Sequence, residues 1–158
     1  VAAVTSVRVS LVDLYVLRGT GSALECLVLR RAPGGRCPGS WETVHGHIET
    51  GETPADAARR ELEEETGLAL ERLYNLSRVE TFYQHRIDEV ALVPVFAAFV
   101  APKAAVRTGV EHDRFEWLPP AEARGRLAWP REARALDDIV ALLGAGDAGA
   151  VEDVLRVC

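Results

Sequence analysis

Residues 53–67, TPADAARRELEEETG, constrain this 158-residue chain more than any other stretch. Thr53 offers a hydroxyl to the free amides of a first helical turn. Pro54 suits the first helical position, and Asp56 stands where a capping box takes an acid. Ala55, Ala57 and Ala58 favour the helix and Gly67 stops it, so a helix is predicted over 54–66. Ala58 and Leu62, four apart, give that helix an apolar contact with the body of the fold. Glu61, Glu64 and Glu65 stand at i, i+3 and i+4 and therefore share one face. Like charges so placed repel by about 0.2–0.5 kcal/mol per exposed pair, a cost that helix formation does not require.

Around this helix the chain reads mainly as strands. Residues 4–18, rich in Val, Leu and Tyr, read as extended, 19–22 as a turn, and 24–30 as a second strand in a hairpin with the first. Pro33, Gly34, Gly35, Pro38 and Gly39 keep 32–40 irregular, and 41–45 forms a short strand leading into Gly46. Two longer strands are predicted over 74–86 and 90–100. Pro94 inside the second lacks a ladder donor, which argues for a sheet edge or a bulge. Residues 101–112 read as loop and 114–118 as a last short strand. A helical piece runs from Pro119-Pro120 to about 127, and a longer helix covers 131–143, with Ala135, Leu136, Ile139, Val140 and Leu143 as its apolar stripe. Residues 144–149 form a joint, and 150–157 either one short helix or a frayed tail. The order strands, helix, strands, helix predicts an α+β or α/β/α domain over 1–158, without repeats or a domain boundary.

The three glutamates admit two readings. They suit a solvated acidic face of an amphipathic helix. They equally suit a hard, oxygen-rich site for Mg²⁺ or Mn²⁺, with Glu52 as a further carboxylate and Gly46 free of a side chain that would hold a cation away from its carbonyl.

Segment 46–68 decides between these by resemblance. Gly46, five residues, Glu52, seven residues, Arg60-Glu61-Leu62, one residue, Glu64-Glu65, one residue, Gly67 and aliphatic Leu68 together resemble the signature of the Nudix hydrolase family. The likeness is tight over 46–68 and looser over about 7–143. It implies the Nudix fold, an α+β architecture with an α/β/α sandwich around a mixed sheet. It implies cleavage of a pyrophosphate linkage with Mg²⁺, for which Mn²⁺ can substitute, two or more ions acting with substrate bound. Glu61, Glu64 and Glu65 would bind the ions and Gly46 would lend its carbonyl. Arg60 would support the cluster by pairing with Glu52, and Gly67 would end the helix. The general base would be Glu61, Glu64 or an acid from a later loop.

Outside the signature, Glu111-His112 ahead of Trp117-Leu118 resembles the late strand of the bacterial nucleoside and dihydroneopterin triphosphate pyrophosphohydrolases. That likeness makes Glu111 the extra acid, a metal ligand or catalytic group, with Glu89 as its rival and Glu116 alternating outward. Arg31 matches a basic residue that meets substrate phosphates in those enzymes, by bidentate contact. Trp41 resembles the same subgroup and serves as a packing anchor or a stacking platform. His47 stands where many members carry Gly or Lys, and could lie near a phosphate. Arg78 and Tyr83 are further substrate-binding candidates, and alternation does not decide whether Phe82 or Tyr83 faces inward.

Composition bounds the rest. A net charge of −6 argues against a nucleic-acid footprint but not against a small phosphorylated, nucleotide-like substrate, since metal ions reverse the local sign. No apolar run suits a membrane span, and the stretch from Val1 to Val9 has no leader pattern, so a cytoplasmic location is expected. The histidines match no zinc spacing and the three cysteines no chemistry. The leading expectation is hydrolysis of a nucleoside or pterin triphosphate to a monophosphate and pyrophosphate, by a monomer or homodimer. Dinucleoside polyphosphates, ADP-ribose-like compounds and RNA 5′ ends are the alternatives, and a non-catalytic nucleotide-binding module is the alternative of another class.

Overall fold

The computed structural model describes residues 4–158; residues 1–3, which begin the stretch read for a leader, lie outside it. The strands are β1 (Ser6–Val9), β2 (Leu11–Arg18), β3 (Glu25–Arg31), β4 (Trp41–Glu42), β5 (Val44–His47), β6 (Arg72–Gln84), β7 (Glu89–Phe99) and β8 (His112–Leu118). The helices are α1 (Pro54–Thr66), α2 (Pro120–Arg126), α3 (Pro130–Leu143) and α4 (Glu152–Leu155), with 3-10 turns at Gly21–Ala23 and Gly149–Val151.

The eight strands form one mixed sheet. Its centre is β2, parallel to β7 on one side and antiparallel to β5 and β3 on the other. Antiparallel β6 flanks β7, and antiparallel β8 flanks β3. Alternation along β2 divides the interior. Val12, Leu14 and Val16 pack with Ala57, Ala58 and Leu62 of α1, while Tyr15 and Leu17 pack with Ala135, Leu136, Ile139 and Leu143 of α3. A sheet between helical layers, within the α+β class, is the architecture expected.

Helix α1 keeps the expected bounds because its ends are chemically local. Thr53 Oγ1 accepts from the Asp56 amide at 3.2 Å, and Gly67 takes φ 67°, a left-handed cap. The strands differ more. The 4–18 run breaks at Ser10, where pairing with β7 slips by one residue, from Val9 opposite Leu92 to Asp13 opposite Val95. The hairpin of β2 with β3 holds for two residue pairs only. The 41–45 strand divides at Thr43: β4 pairs with β3, and β5 crosses to β2.

Pro94 lies on a central strand, not at an edge. Its missing donor is accommodated between two irregularities. The slip at Ser10 flanks it on one side, and on the other β6 bulges between Asn75 and Val79, with Ser77 at φ 50°. The 150–157 tail forms the 3-10 turn and α4, and its end returns to β6, where the Val157 amide donates to the Leu73 carbonyl. No helix among the described residues is long and apolar enough to cross a membrane.

Candidate functional site

Strand β5 passes beneath the C-terminal half of α1, and the contact is close because Gly46 has no side chain. A Cβ there would overlap the carboxyl of Glu61. Glu61 and Glu65 are buried on this side while Glu64 is open to solvent, so three glutamates on one helical face occupy unlike environments. Arg60 joins Glu61 and Glu64 to the preceding loop and leaves Glu65 aside. Its Nη1 donates to Glu61 at 2.7 Å and to Glu64 at 3.1 Å, its Nε to Glu52 at 2.8 Å, and its Nη2 to the His47 carbonyl at 2.8 Å. The 46–52 loop is thereby fastened to the helix. The hydrogen bonds from Arg60, and then that from the Glu49 amide, hold the Glu52 carboxyl down at about 2.

Glu111 reaches the cluster through its loop. The Arg107 amide donates to the Thr66 carbonyl at 2.8 Å, and the Gly109 amide to that of Glu65 at 3.4 Å. Both acceptors are carbonyls that the end of a helix leaves free. At Gly109 a Cβ would lie 3.2 Å from the Glu64 carbonyl oxygen, so a small residue suits this approach. Two residues on, Glu111 lies 3.7 Å from Arg31 and close enough to Glu61 and Glu65 to disfavour their ionisation.

The electrostatics follow. Burial, then the negative charge of Glu61, Glu42 and Glu111, pushes the Glu65 carboxyl up to about 10. Burial also raises Glu61, against the pull of Arg60. Oε2 of Glu65 and Nδ1 of His112 are buried with no hydrogen-bond partner among the described residues. Crowded, desolvated carboxylates with an orphaned oxygen fit a hard divalent cation, which removes the repulsion and supplies the missing partner. As the side chains stand, with Arg60 serving Glu61 and Glu64, no three His, Cys, Asp or Glu among the described residues converge in a metal-holding arrangement.

The other candidates are distributed. Arg31 lies beside the cluster, bound to Glu42 at 2.9 Å and to the Arg36 carbonyl at 2.6 Å. With Ala32, Pro33, Gly34, Gly35, Val110 and Glu111 it lines a cavity of about 460 Å³. His47 offers its carbonyl to Arg60 while its side chain is exposed. Trp41 packs against the α3-side core under the Arg126 guanidinium, 4.9 Å from the ring centroid. Arg78 is held by Glu80 and by Asp138 of α3, and Tyr83 donates to Asp88 at the β6–β7 turn; these bonds engage neither with the cluster. Phe82 meets Trp129 edge-on at 6.4 Å. Glu89 accepts from Ser10 near β1, and Glu116 pairs with Arg126.

Four buried polar residues were not foreseen. Glu42 and His112 join the cluster from β4 and β8. On the opposite face Asp13 binds His45 at 2.6 Å and Arg131 at 2.9 Å, and Glu132 accepts from the Thr43 amide at 2.7 Å. Glu132 left a trace in the sequence, since it precedes Ala135, Leu136 and Ile139 by three, four and seven residues and so sits on their apolar stripe. Asp13 is a lone acid in an apolar run. Glu42 and His112 become visible only when their strands pair with β3.

Residues 7–139 match the model of the NUDIX domain. An octanoyltransferase of Myxococcus xanthus is 39% identical over 123 residues, 73% of this chain and 32% of that protein. An isopentenyl-diphosphate Delta-isomerase of Corynebacterium diphtheriae is 31% identical over 116 residues, 68% of this chain and 62% of that protein. The chain therefore spans less than two thirds of either relative. Among solved structures, a C. elegans Ap4A hydrolase in a binary complex superposes with a TM-score of 0.70 at 23% identity, covering 84% of this chain and 96% of that one. An E. coli dihydroneopterin triphosphate pyrophosphohydrolase does so with a TM-score of 0.65 at 23% identity, covering 82% and 94%. Likeness at these identities shows a common fold.

Proposed function

The chain belongs to the NUDIX domain family, and on that premise we propose that it hydrolyses a phosphoanhydride bond of a nucleoside or pterin triphosphate, giving a monophosphate and pyrophosphate. One observation carries this reading: Glu61 lies against the bare backbone of Gly46, Glu64 and Glu111 are near enough for their charges to disfavour ionisation of the buried Glu61, as Glu61 and Glu111 do for the buried Glu65, and Oε2 of Glu65 is buried without a hydrogen-bond partner among the described residues. Glu61, Glu64, Glu65, Glu111 and the Gly46 carbonyl would hold Mg²⁺ or Mn²⁺. Such ions, when bound, neutralise the phosphate oxygens and lower the pKa of an attacking water.

The remaining work falls to the chain itself. Glu61, Glu64 or Glu111 takes the proton of the attacking water. Arg60 keeps the 46–52 loop against α1, so the carbonyl of Gly46 and the helix carboxylates stay in register. The cavity between the 32–35 backbone and Val110 opens beside Glu111 and offers room for the part of the substrate beyond the cleaved bond. No covalent nucleophile is needed, since water is the attacking group.

A release assay tests the proposal. The protein is incubated with Mg²⁺ and a panel of nucleoside triphosphates, dihydroneopterin triphosphate, nucleotide sugars and dinucleoside polyphosphates, and the phosphate products are identified. Pyrophosphate from a triphosphate is the expected result. Two phosphorylated halves from a dinucleotide or nucleotide sugar would move the substrate class, and no release from any compound would overturn the hydrolase reading.

A further inference from the structure

Beside the carboxylate cluster, Oε2 of Glu65 and Nδ1 of His112 face each other at 3.8 Å. Both are buried and neither has a hydrogen-bond partner among the described residues. The proposed hydrolysis as argued above gives His112 nothing to do. Its side chain is 1% exposed, and its other ring nitrogen, Nε2, lies 2.9 Å from Oε1 of Glu42. The same Glu42 oxygen accepts from Nη1 of Arg31 at 2.9 Å. Arg31 ends β3, Glu42 lies in β4 and His112 opens β8, so sheet pairing brings three separate segments into one polar chain that stops at Glu65.

That chain is costly to bury. An unsatisfied buried polar atom destabilises the fold, and an apolar ring in place of His112 would need neither Glu42 nor Arg31. What a histidine adds is direction. Burial pushes the Glu42 carboxyl up, but hydrogen bonds from His112 and Arg31 outweigh it and leave the group below its ordinary range. Glu42 is therefore an acceptor, Nε2 carries a proton toward it, and the ring cannot flip without losing that bond. Nδ1 is then fixed in the direction of Glu65.

We propose that Arg31, Glu42 and His112 form a positioning device for Glu65, holding its carboxylate in the orientation the cluster uses. The inference rests on the functional reading above only in taking Glu65 as a cation ligand. His112 and Glu42 touch no substrate and act through Glu65. Arg31, bound to Glu42 and 3.7 Å from Glu111, ties the two acids on either side of the cluster to one guanidinium.

The test measures Mn²⁺ binding to the substrate-free protein by calorimetry, with kcat and KM as a second readout and circular dichroism as the check of folding. His112→Leu removes both ring nitrogens, and His112→Asn keeps a polar atom near the place of Nδ1. Glu42→Gln weakens the hold on Nε2. His112→Leu is expected to weaken Mn²⁺ binding about 10–100-fold, the usual effect of removing a partner behind a ligand, and to lower kcat more than it raises KM. His112→Asn recovers part of that affinity, and Glu42→Gln falls between it and wild type. Folded His112→Leu with Mn²⁺ affinity within twofold of wild type would overturn the proposal. If His112→Leu does not fold, unchanged affinity in both His112→Asn and Glu42→Gln overturns it equally. Wild-type protein that binds no Mn²⁺ would overturn this proposal and the functional reading together, whereas wild-type binding with indifferent variants overturns this one alone.

Discussion

At Gly46 one methyl group is enough to displace a buried carboxyl. The residue lies in β5 outside the left-handed region, so alanine is acceptable to the backbone, yet its Cβ would overlap the Glu61 carboxyl. Gly46→Ala is expected to lower turnover about 100-fold, within the range for disturbing the groups around a metal ligand, with the far-ultraviolet spectrum unchanged. Turnover near wild type in the release assay would detach Glu61 from the reaction. Glu64 makes a cleaner deletion, because it is solvent-exposed and its bond is to Arg60. Glu64→Gln is expected to cost turnover about 100-fold or more with no fall in melting temperature, and a proportional loss of both would mark the residue as structural. Sequence spacing was sufficient to place Glu61, Glu64 and Glu65 on one face. It was silent on their separation into two buried acids and one open one, because β5 and the 107–111 loop impose that difference from elsewhere in the chain. His112 stood in the Glu111-His112 pair, but its burial and its contact with Glu42 were illegible for the same reason.

Elements were legible where their signals are local. Thr53, Pro54 and Gly67 fix both ends of α1 with side-chain and backbone chemistry of their own, and the observed bounds match the expected ones. The strands depend on partners, and their ends moved accordingly. Pro94 shows the limit well. One missing donor told that the ladder is interrupted there, but the interruption is met by a bulge in β6 and a slip beside Ser10, two events remote in sequence. The cap of α1 therefore yields a prediction of stability. Thr53→Ala removes the acceptor for the Asp56 amide and is expected to cost about 1 kcal/mol in urea unfolding. Turnover per folded molecule should hold, because the carboxylates stand two turns further along. A loss of turnover without a loss of stability would show that the first turn positions the 46–52 loop as well.

At the scale of the whole molecule, the sheet carries buried acids on both faces, and their charge states make stability depend on pH. Asp13 stays ionised: burial raises its pKa, but the hydrogen bond and charge of His45 and the pull of Arg131 bring it below the ordinary value. Glu132 has weaker help, one amide from Thr43 and the charge of Arg131, and burial pushes it up to about 8. A carboxyl whose folded pKa exceeds its unfolded value binds its proton more tightly in the folded state. Its stabilisation is complete below the unfolded value of 4.5 and declines as pH rises through about 8. Glu65, raised to about 10, acts with the same sign over a wider window. Wild type and Glu132→Gln share the Glu65 contribution, so their difference isolates Glu132. Glutamine keeps an oxygen for the Thr43 amide and has no proton to lose. Melting curves in a chelating buffer are expected to converge with wild type near pH 5. They should then separate with rising pH in favour of Glu132→Gln, with a slope approaching at most about 1.4 kcal/mol per pH unit before Glu132 ionises. Parallel curves from pH 5 to pH 9 would mean that Glu132 is already ionised throughout. The polar layer between β2, β5 and α3 would then carry two buried charges balanced by Arg131 and His45.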